Sequence, residues 1–283
     1  MKTTELIEAI RVGDRDKAKM LIANGANVNE VDERGWSALF QASGKGYIDV
    51  VKLLLKYNAD INLNGYGWTA LFTAAAEGHI DIVKLLLENG AKTDVISENT
   101  RTDSSPDPIL FYSIGYPDIT RLLLQHGADI NAKDTQGYSV LASALELECI
   151  DTAYILLEHI SEMSDIDAQT EEGHTALMYA EINGYADIAN ILKNAGGSYG
   201  NLDKALINTA GMTAWMDMIK FLVKKGANVN AQDEDGMTAM SGMRIHKVFR
   251  GYYPKNLLIT KRDRIEKRFN HTIRRLCSID HLK

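Results

Sequence analysis

Apolar positions along this chain fall into pairs of runs. Between Ile80 and Glu88 they stand at Ile82, Val83, Leu85, Leu86 and Leu87, a broad stripe on one side of a helix. Just before it comes a shorter, alanine-rich run from Ala70, as an inner layer of closely stacked helices needs. Thr69 precedes that run, and a hydroxyl there suits the helix N-cap. Gly78 follows it, where a left-handed C-cap carries no Cβ penalty. The pattern predicts a short helix from Ala70, a tight turn, and a second helix over Ile80 to Glu88 that stops at Asn89-Gly90.

The same pair is written many times. Residues 35–59 read GWSALFQASGKGYIDVVKLLLKYNA and residues 67–91 read GWTALFTAAAEGHIDIVKLLLENGA. The closing phrase GANVN at 25–29 returns as NADIN at 58–62, GAKTD at 90–94, GADIN at 127–131 and GANVN at 226–230, with a looser version ending at Asp167. Ser37, Ser139, Thr175 and Thr238 hold the capping place of Thr69, and Gly46 and Gly184 the turn place of Gly78. Asn58 stands where one closing Gly is missing; it is the residue next most tolerant of the left-handed region. A Thr-x-Leu opening and a Gly-Ala-x-x-Asn close, repeated about every 33 residues over residues 3 to 247, resemble the ankyrin repeat.

That resemblance implies an all-α solenoid of helix-turn-helix units with hairpin fingers. Eight units are expected, opening near Thr3, Ser37, Thr69, Asp107, Ser139, Thr175, Leu202 and Thr238, the terminal ones partial. Neighbours must stack to bury their apolar faces. In the first unit Lys17 stands where Ile or Val occurs elsewhere, as a capping unit turned to water requires. The array is expected over 1–247 and a basic C-terminal segment, helical and capping, over 248–283.

Several places depart from the pattern. The stretch ISENTRTDSSPDP enlarges the finger before Leu110, either as part of a working face or as drift in an unused loop. The unit after it is short between its helices, and the hairpin between Gly196 and Ile207 is clipped. The Pro of the family's Thr-Pro-Leu-His phrase is replaced by Ala38, Ala70, Val140, Ala176 and Ala239, which gives up a pre-set φ angle. Phe40 and Phe72 stand for its His and are expected in the core.

Charge divides unevenly. From Arg244 to Lys283 twelve Lys or Arg face three Asp or Glu, net +9, and the rest of the chain carries 19 basic and 35 acidic side chains, net −16. Ile265, Phe269, Ile273 and Leu276 form one apolar stripe in the basic segment. That segment either covers the end of the stack or contacts a nucleic acid or anionic membrane. Cys149 and Cys277 lie far apart and outside any ligand spacing, and no apolar run approaches a membrane span; a cytoplasmic monomer is expected.

Catalytic chemistry finds no foothold. Phosphate loops, HExxH pairs and GxSxG elbows are absent, and the seven histidines are scattered. Asp49, Asp81, Asp118 and Asp187 recur at one position early in the second helix, as complements to its N-terminal dipole. No cofactor, metal site or enzymatic role is expected. What remains is surface. Trp36, Trp68, Tyr138, His174 and Met237 share one place between the finger Gly and the capping residue, with Arg34 and Tyr66 nearby. Resemblance to the family places them on the partner-contacting side. The expected function is therefore a non-catalytic module that binds another protein, with a basic patch, through its concave face and finger tips.

Overall fold

A computed structural model describes residues 5–65, 68–94, 107–210 and 216–239 of the 283-residue chain. Fourteen α-helices run through the described residues. They pair as α1 (Glu5–Val12) with α2 (Arg15–Ala23), α3 (Ala38–Gly44) with α4 (Ile48–Lys56), and α5 (Ala70–Ala76) with α6 (Ile80–Glu88). Next come α7 (Ile109–Tyr112) with α8 (Pro117–Gln125) and α9 (Val140–Glu146) with α10 (Ile150–Glu158). Last are α11 (Ala176–Ile182) with α12 (Ala186–Asn194) and α13 (Leu202–Ala210) with α14 (Met216–Lys224). Seven of the eight expected pairs are thus described, and Ala239 opens the eighth. Residues 95–106 of the insertion at 95–108, Tyr66 and the basic segment 248–283 lie outside the described residues.

The expected caps are present as bonds. Ser37 Oγ accepts from the Phe40 amide at 3.1 Å, Thr69 Oγ1 from Phe72 at 3.4 Å, Ser139 Oγ from Ala142 at 3.2 Å and Thr175 Oγ1 from Met178 at 3.4 Å. Each supplies an acceptor to a first-turn N–H that the helix leaves unpaired. Asn58 adopts φ 62°, as its stand-in role for Gly requires. Glu148 does the same at φ 61°, in the place held elsewhere by Gly46 and Gly78, and nothing about a glutamate announces that conformation.

The chain divides into two compact units, residues 1–130 and 131–283. In the first, α1, α3, α5 and α7 pack in sequence as an inner row, and α2, α4, α6 and α8 as an outer row. Their facing surfaces are apolar: Ile7, Leu39, Leu71 and Leu110 from the inner row and Ile22, Leu54, Leu86 and Leu123 from the outer row are buried. Phe40 and Phe72 are buried too, as expected of core residues. Lys17, at the open end, pairs with Glu5 at 2.9 Å. Asp49, beyond complementing its helix dipole, binds Arg15 at 2.6 Å and Lys19 on the preceding outer helix. The Arg15 hydrogen bond, with help from Lys19, holds the Asp49 carboxyl far below the usual carboxylate range.

In the second unit α11 packs on α9, α12 and α14, and α13 on α14. The clipped hairpin is compensated by a polar knot. Glu181 on α11 takes Lys193 of α12 and Lys225 beyond α14 as cations, and Tyr199 of the shortened loop donates to it at 2.6 Å. Lys225 Nζ also lies 2.7 Å from the Tyr199 hydroxyl and 4.7 Å above its ring.

The closing Asn of the phrase is explained, at Asn29, Asn62 and Asn131, by its reach into the next repeat. Asn29 Oδ1 accepts from the Asp60 amide at 2.7 Å while its Nδ2 donates to Asn58 O at 3.3 Å. Asn62 accepts from the Lys92 amide at 2.9 Å. In the second unit Asn131 accepts from Ser164 at 2.7 Å and donates to Glu162 O at 3.0 Å, and Asp167, which closes the looser phrase, accepts from the Ser198 amide at 2.6 Å. Each side chain satisfies turn backbone that no helix can.

Candidate protein interface

Three of the fingers are built on one carboxylate each. Asp32 Oδ1 accepts from the amides of Arg34 at 2.9 Å and Trp36 at 3.0 Å, and the Asp32 amide donates to Trp36 O at 3.0 Å. Asp134 holds Gln136 and Tyr138 at 2.9 and 2.8 Å, and Asp233 holds Asp235 and Met237 at 3.0 and 2.8 Å. At the fourth such finger Thr170 Oγ1 plays the part, accepting from the His174 amide at 3.2 Å. Isolated bridges Val31 to Ser37, Gly65 to Trp68, Lys133 to Ser139 and Gln232 to Thr238 close the hairpins at their bases. A short Asp side chain bonding two residues ahead favours this turn, so the rigidity is written locally.

Four of the five shared side chains, expected on the partner-contacting side, are buried by the helices around them. Trp36 is 8% exposed, Trp68 6%, Tyr138 3% and His174 0%. The finger turns each ring inward onto helices. Trp36 stacks on Phe40 with centroids 5.0 Å apart. Trp68 meets Phe72 at 6.1 Å and Tyr112 at 5.1 Å, edge on. Tyr138 lies 6.4 Å from Tyr179, and His174 contacts Tyr179 edge on at 5.7 Å. Met237 is half-buried. Arg34, half-buried, places its guanidinium 5.1 Å from the centroid of the Trp36 ring. The outward-facing groups are the tips themselves: Glu33, Glu171, Glu234 and Asp235 are exposed. The strings DERG, TEEG and DEDG carried that signal, one step before the shared position.

His79, which follows the turn glycine Gly78, bonds Gly44 O at 3.1 Å through Nε2. Cys149 is a free, half-buried thiol whose pKa burial raises, with the Glu148 charge adding to the effect. Among the described residues, no group of three or more His, Cys, Asp or Glu side chains could hold a metal ion, and no helix is long and apolar enough to cross a membrane.

Family models for ankyrin repeats match residues 6–97, 109–203 and 203–240. The chain belongs to the ankyrin repeat family. It is 28% identical over 228 residues to an ankyrin repeat protein of Acanthamoeba polyphaga mimivirus, covering 78% of this chain and 25% of that protein. It is 32% identical over 194 residues to the nuclear factor NF-kappa-B p105 subunit of Gallus gallus, covering 68% of this chain and 16% of that one. A palmitoyltransferase of Lachancea kluyveri matches at 29% over 126 residues, covering 43% of this chain and 17% of that enzyme. The chain spans a quarter or less of the length of these three relatives. Ankyrin repeats are generally non-catalytic protein–protein interaction modules.

Proposed function

We propose that this chain is a non-catalytic module that binds a partner protein through its finger tips and the concave face of inner helices beside them. The observation that supports it is the construction of the fingers. Four tips are held by a carboxylate or hydroxyl clasp, with a buried ring at the base of three of them and Met237 at the fourth, while Glu33, Glu171, Glu234 and Asp235 stay in water. A hairpin already ordered surrenders little conformational entropy when a partner arrives. The acidic tips and the net charge of −16 over residues 1–243 favour a partner with a basic surface, chiefly through encounter rate and choice of partner. Arg34 and Met237 remain contact residues in this reading; Trp36, Trp68, Tyr138 and His174 set the shape of the site from below.

The test is affinity capture with the native chain and with Glu171→Lys, Glu234→Lys and Asp235→Lys combined, followed by mass spectrometry. Loss of the same captured protein in the folded variant, and its release by raised salt, is the expected outcome. Recovery of an unchanged set of proteins by the variant overturns the reading.

A further inference from the structure

We propose that the basic segment 248–283 docks in cis on the last described repeat, its apolar stripe on Val223 and Val229 and its cations at Glu234 and Asp235. What this means for a partner rests on the fingertip reading above.

Two side chains mark the face by breaking the rule of their positions. Val229 stands in the closing phrase of the last described repeat and is 44% exposed. The same place is 7% exposed at Val28 and half-buried at Ile61 and Ile166. Val223, the eighth residue of α14, is also 44% exposed, whereas Leu157, the eighth of α10, is buried. The better-covered residues belong to repeats that a further described helix pair follows. After α14 the described chain ends at Ala239. A solenoid covers apolar side chains by stacking the next layer on them, so Val223 and Val229 form a stacking face short of its layer.

The chain beyond Ala239 carries what such a face needs. Ile265, Phe269, Ile273 and Leu276 recur at steps of 4, 4 and 3, the spacing of one side of a helix. Twenty-six residue steps separate Ala239 from Ile265, ample to reach any part of the last repeat. The tether keeps the segment at an effective concentration on the order of millimolar, so a modest contact suffices.

Charge selects the same occupant. Residues 131–243 carry 6 Lys and no Arg against 17 Asp or Glu, net −11, while residues 244–283 are net +9. Four of those six lysines pair elsewhere: Lys133 with Asp165, Lys193 and Lys225 with Glu181, and Lys220 with Asp217. The last finger, clasped by Asp233, holds Glu234 and Asp235 exposed at its tip and is the acidic group nearest the segment in sequence. A polyanion drawn to the same cations would have to approach this acidic unit, which opposes it. The segment thus offers the tip the chemistry expected of a basic partner, and such a partner must displace it there.

The experiment uses the full chain carrying Cys149→Ser, with a nitroxide on Cys277 beside the stripe, and valine methyl NMR without a partner. The Val223 and Val229 signals are expected to broaden several-fold more than that of Val140 in α9, and to recover when the nitroxide is reduced. Phe269→Ser with Ile273→Ser should abolish the difference. Glu234→Lys with Asp235→Lys should weaken it several-fold, because like charges then face the segment. Valines that stay sharp in the unsubstituted segment, or broadening that survives the Ser substitutions, overturn the docking. Broadening untouched by the Lys substitutions overturns the role of the tip. Isotope-labelled chain without nitroxide is then mixed with unlabelled nitroxide chain; equal broadening in that mixture assigns the face to a second copy and overturns docking in cis. Sharp valines together with tight binding of duplex DNA or anionic vesicles by the segment assign it to a polyanion instead. No partner is present in any reading, so failure of the docking and failure of the fingertip reading are seen separately.

Discussion

The ring of Tyr116 crowds the point where a β-carbon on Gly78 would stand. The relation recurs in the two repeats before it, where the residue following a turn glycine again leans over the turn glycine of the preceding repeat. His79 comes within 2.8 Å of the equivalent point on Gly46, and the Tyr47 hydroxyl within 3.3 Å of that on Gly13. Glycine is therefore required twice at Gly78, by φ +75° and by a neighbour. Gly184 has φ +80° with nothing within 4 Å. Alanine at either position incurs the left-handed penalty of about 1–2 kcal/mol. Gly78→Ala should cost a further ~1–3 kcal/mol, because the Tyr116 ring must move. Urea denaturation of the two variants checks the difference; equal losses would show that the ring yields freely.

The Asn ladder joins repeats through backbone and should behave as a coupling element. Removing Asn131 leaves the Ser164 amide and the Glu162 carbonyl to water. Because the site is exposed, Asn131→Ala should cost about 1 kcal/mol, the net worth of an ordinary hydrogen bond. Its diagnostic effect is spatial. Hydrogen exchange at the Ser164 amide, in the following repeat, should accelerate more than exchange within α9 or α10.

Trp36 and Trp68 test what the sequence could and could not reveal. The caps at Ser37, Thr69, Ser139 and Thr175 were legible because the bond spans three residues and needs no tertiary partner. The left-handed Asn58 was legible for the same reason. The direction of the finger-base rings was not, because it is set by helices around them: Phe40 beneath one indole, Phe72 and Tyr112 around the other. Nor could Glu148 at φ 61°, or the knot about Glu181, be read from spacing, since neither residue type carries such a rule. Changing Trp36 or Trp68 to Ala should therefore lower stability by about 3–5 kcal/mol, as loss of a buried aromatic does. A chemical denaturation midpoint left in place would return these rings to the surface.

Glu148 offers the opposite sign. Its left-handed backbone costs about 1–2 kcal/mol that glycine would not incur. Glycine adds freedom to the unfolded chain, worth roughly 0.5–1 kcal/mol against it. Glu148→Gly should thus stabilise the chain by about 0.5–1 kcal/mol, read as a rise in melting temperature. A fall would mean that the glutamate's own contacts outweigh its backbone.

The pH dependence of the second unit should be concentrated in Glu181. Burial alone would raise its carboxyl pKa, but hydrogen bonds from Lys193, Lys225 and Tyr199 outweigh it and bring the value down to about 2, from an ordinary 4.5. A group whose folded pKa is depressed contributes stability that is present above its unfolded pKa and lost as the pH falls through the folded one. The contribution should hold at neutral pH, decline from about pH 4.5 and be gone near pH 2. Glu181→Gln cannot pair with either lysine at any pH. Plotted against pH, the gap in urea midpoint between native chain and variant should be widest above pH 5 and narrow steadily toward pH 2. A gap that stays constant through that window would mean that Glu181 acts by shape and hydrogen bonding, with its charge contributing nothing to the joint between α11, α12 and α14.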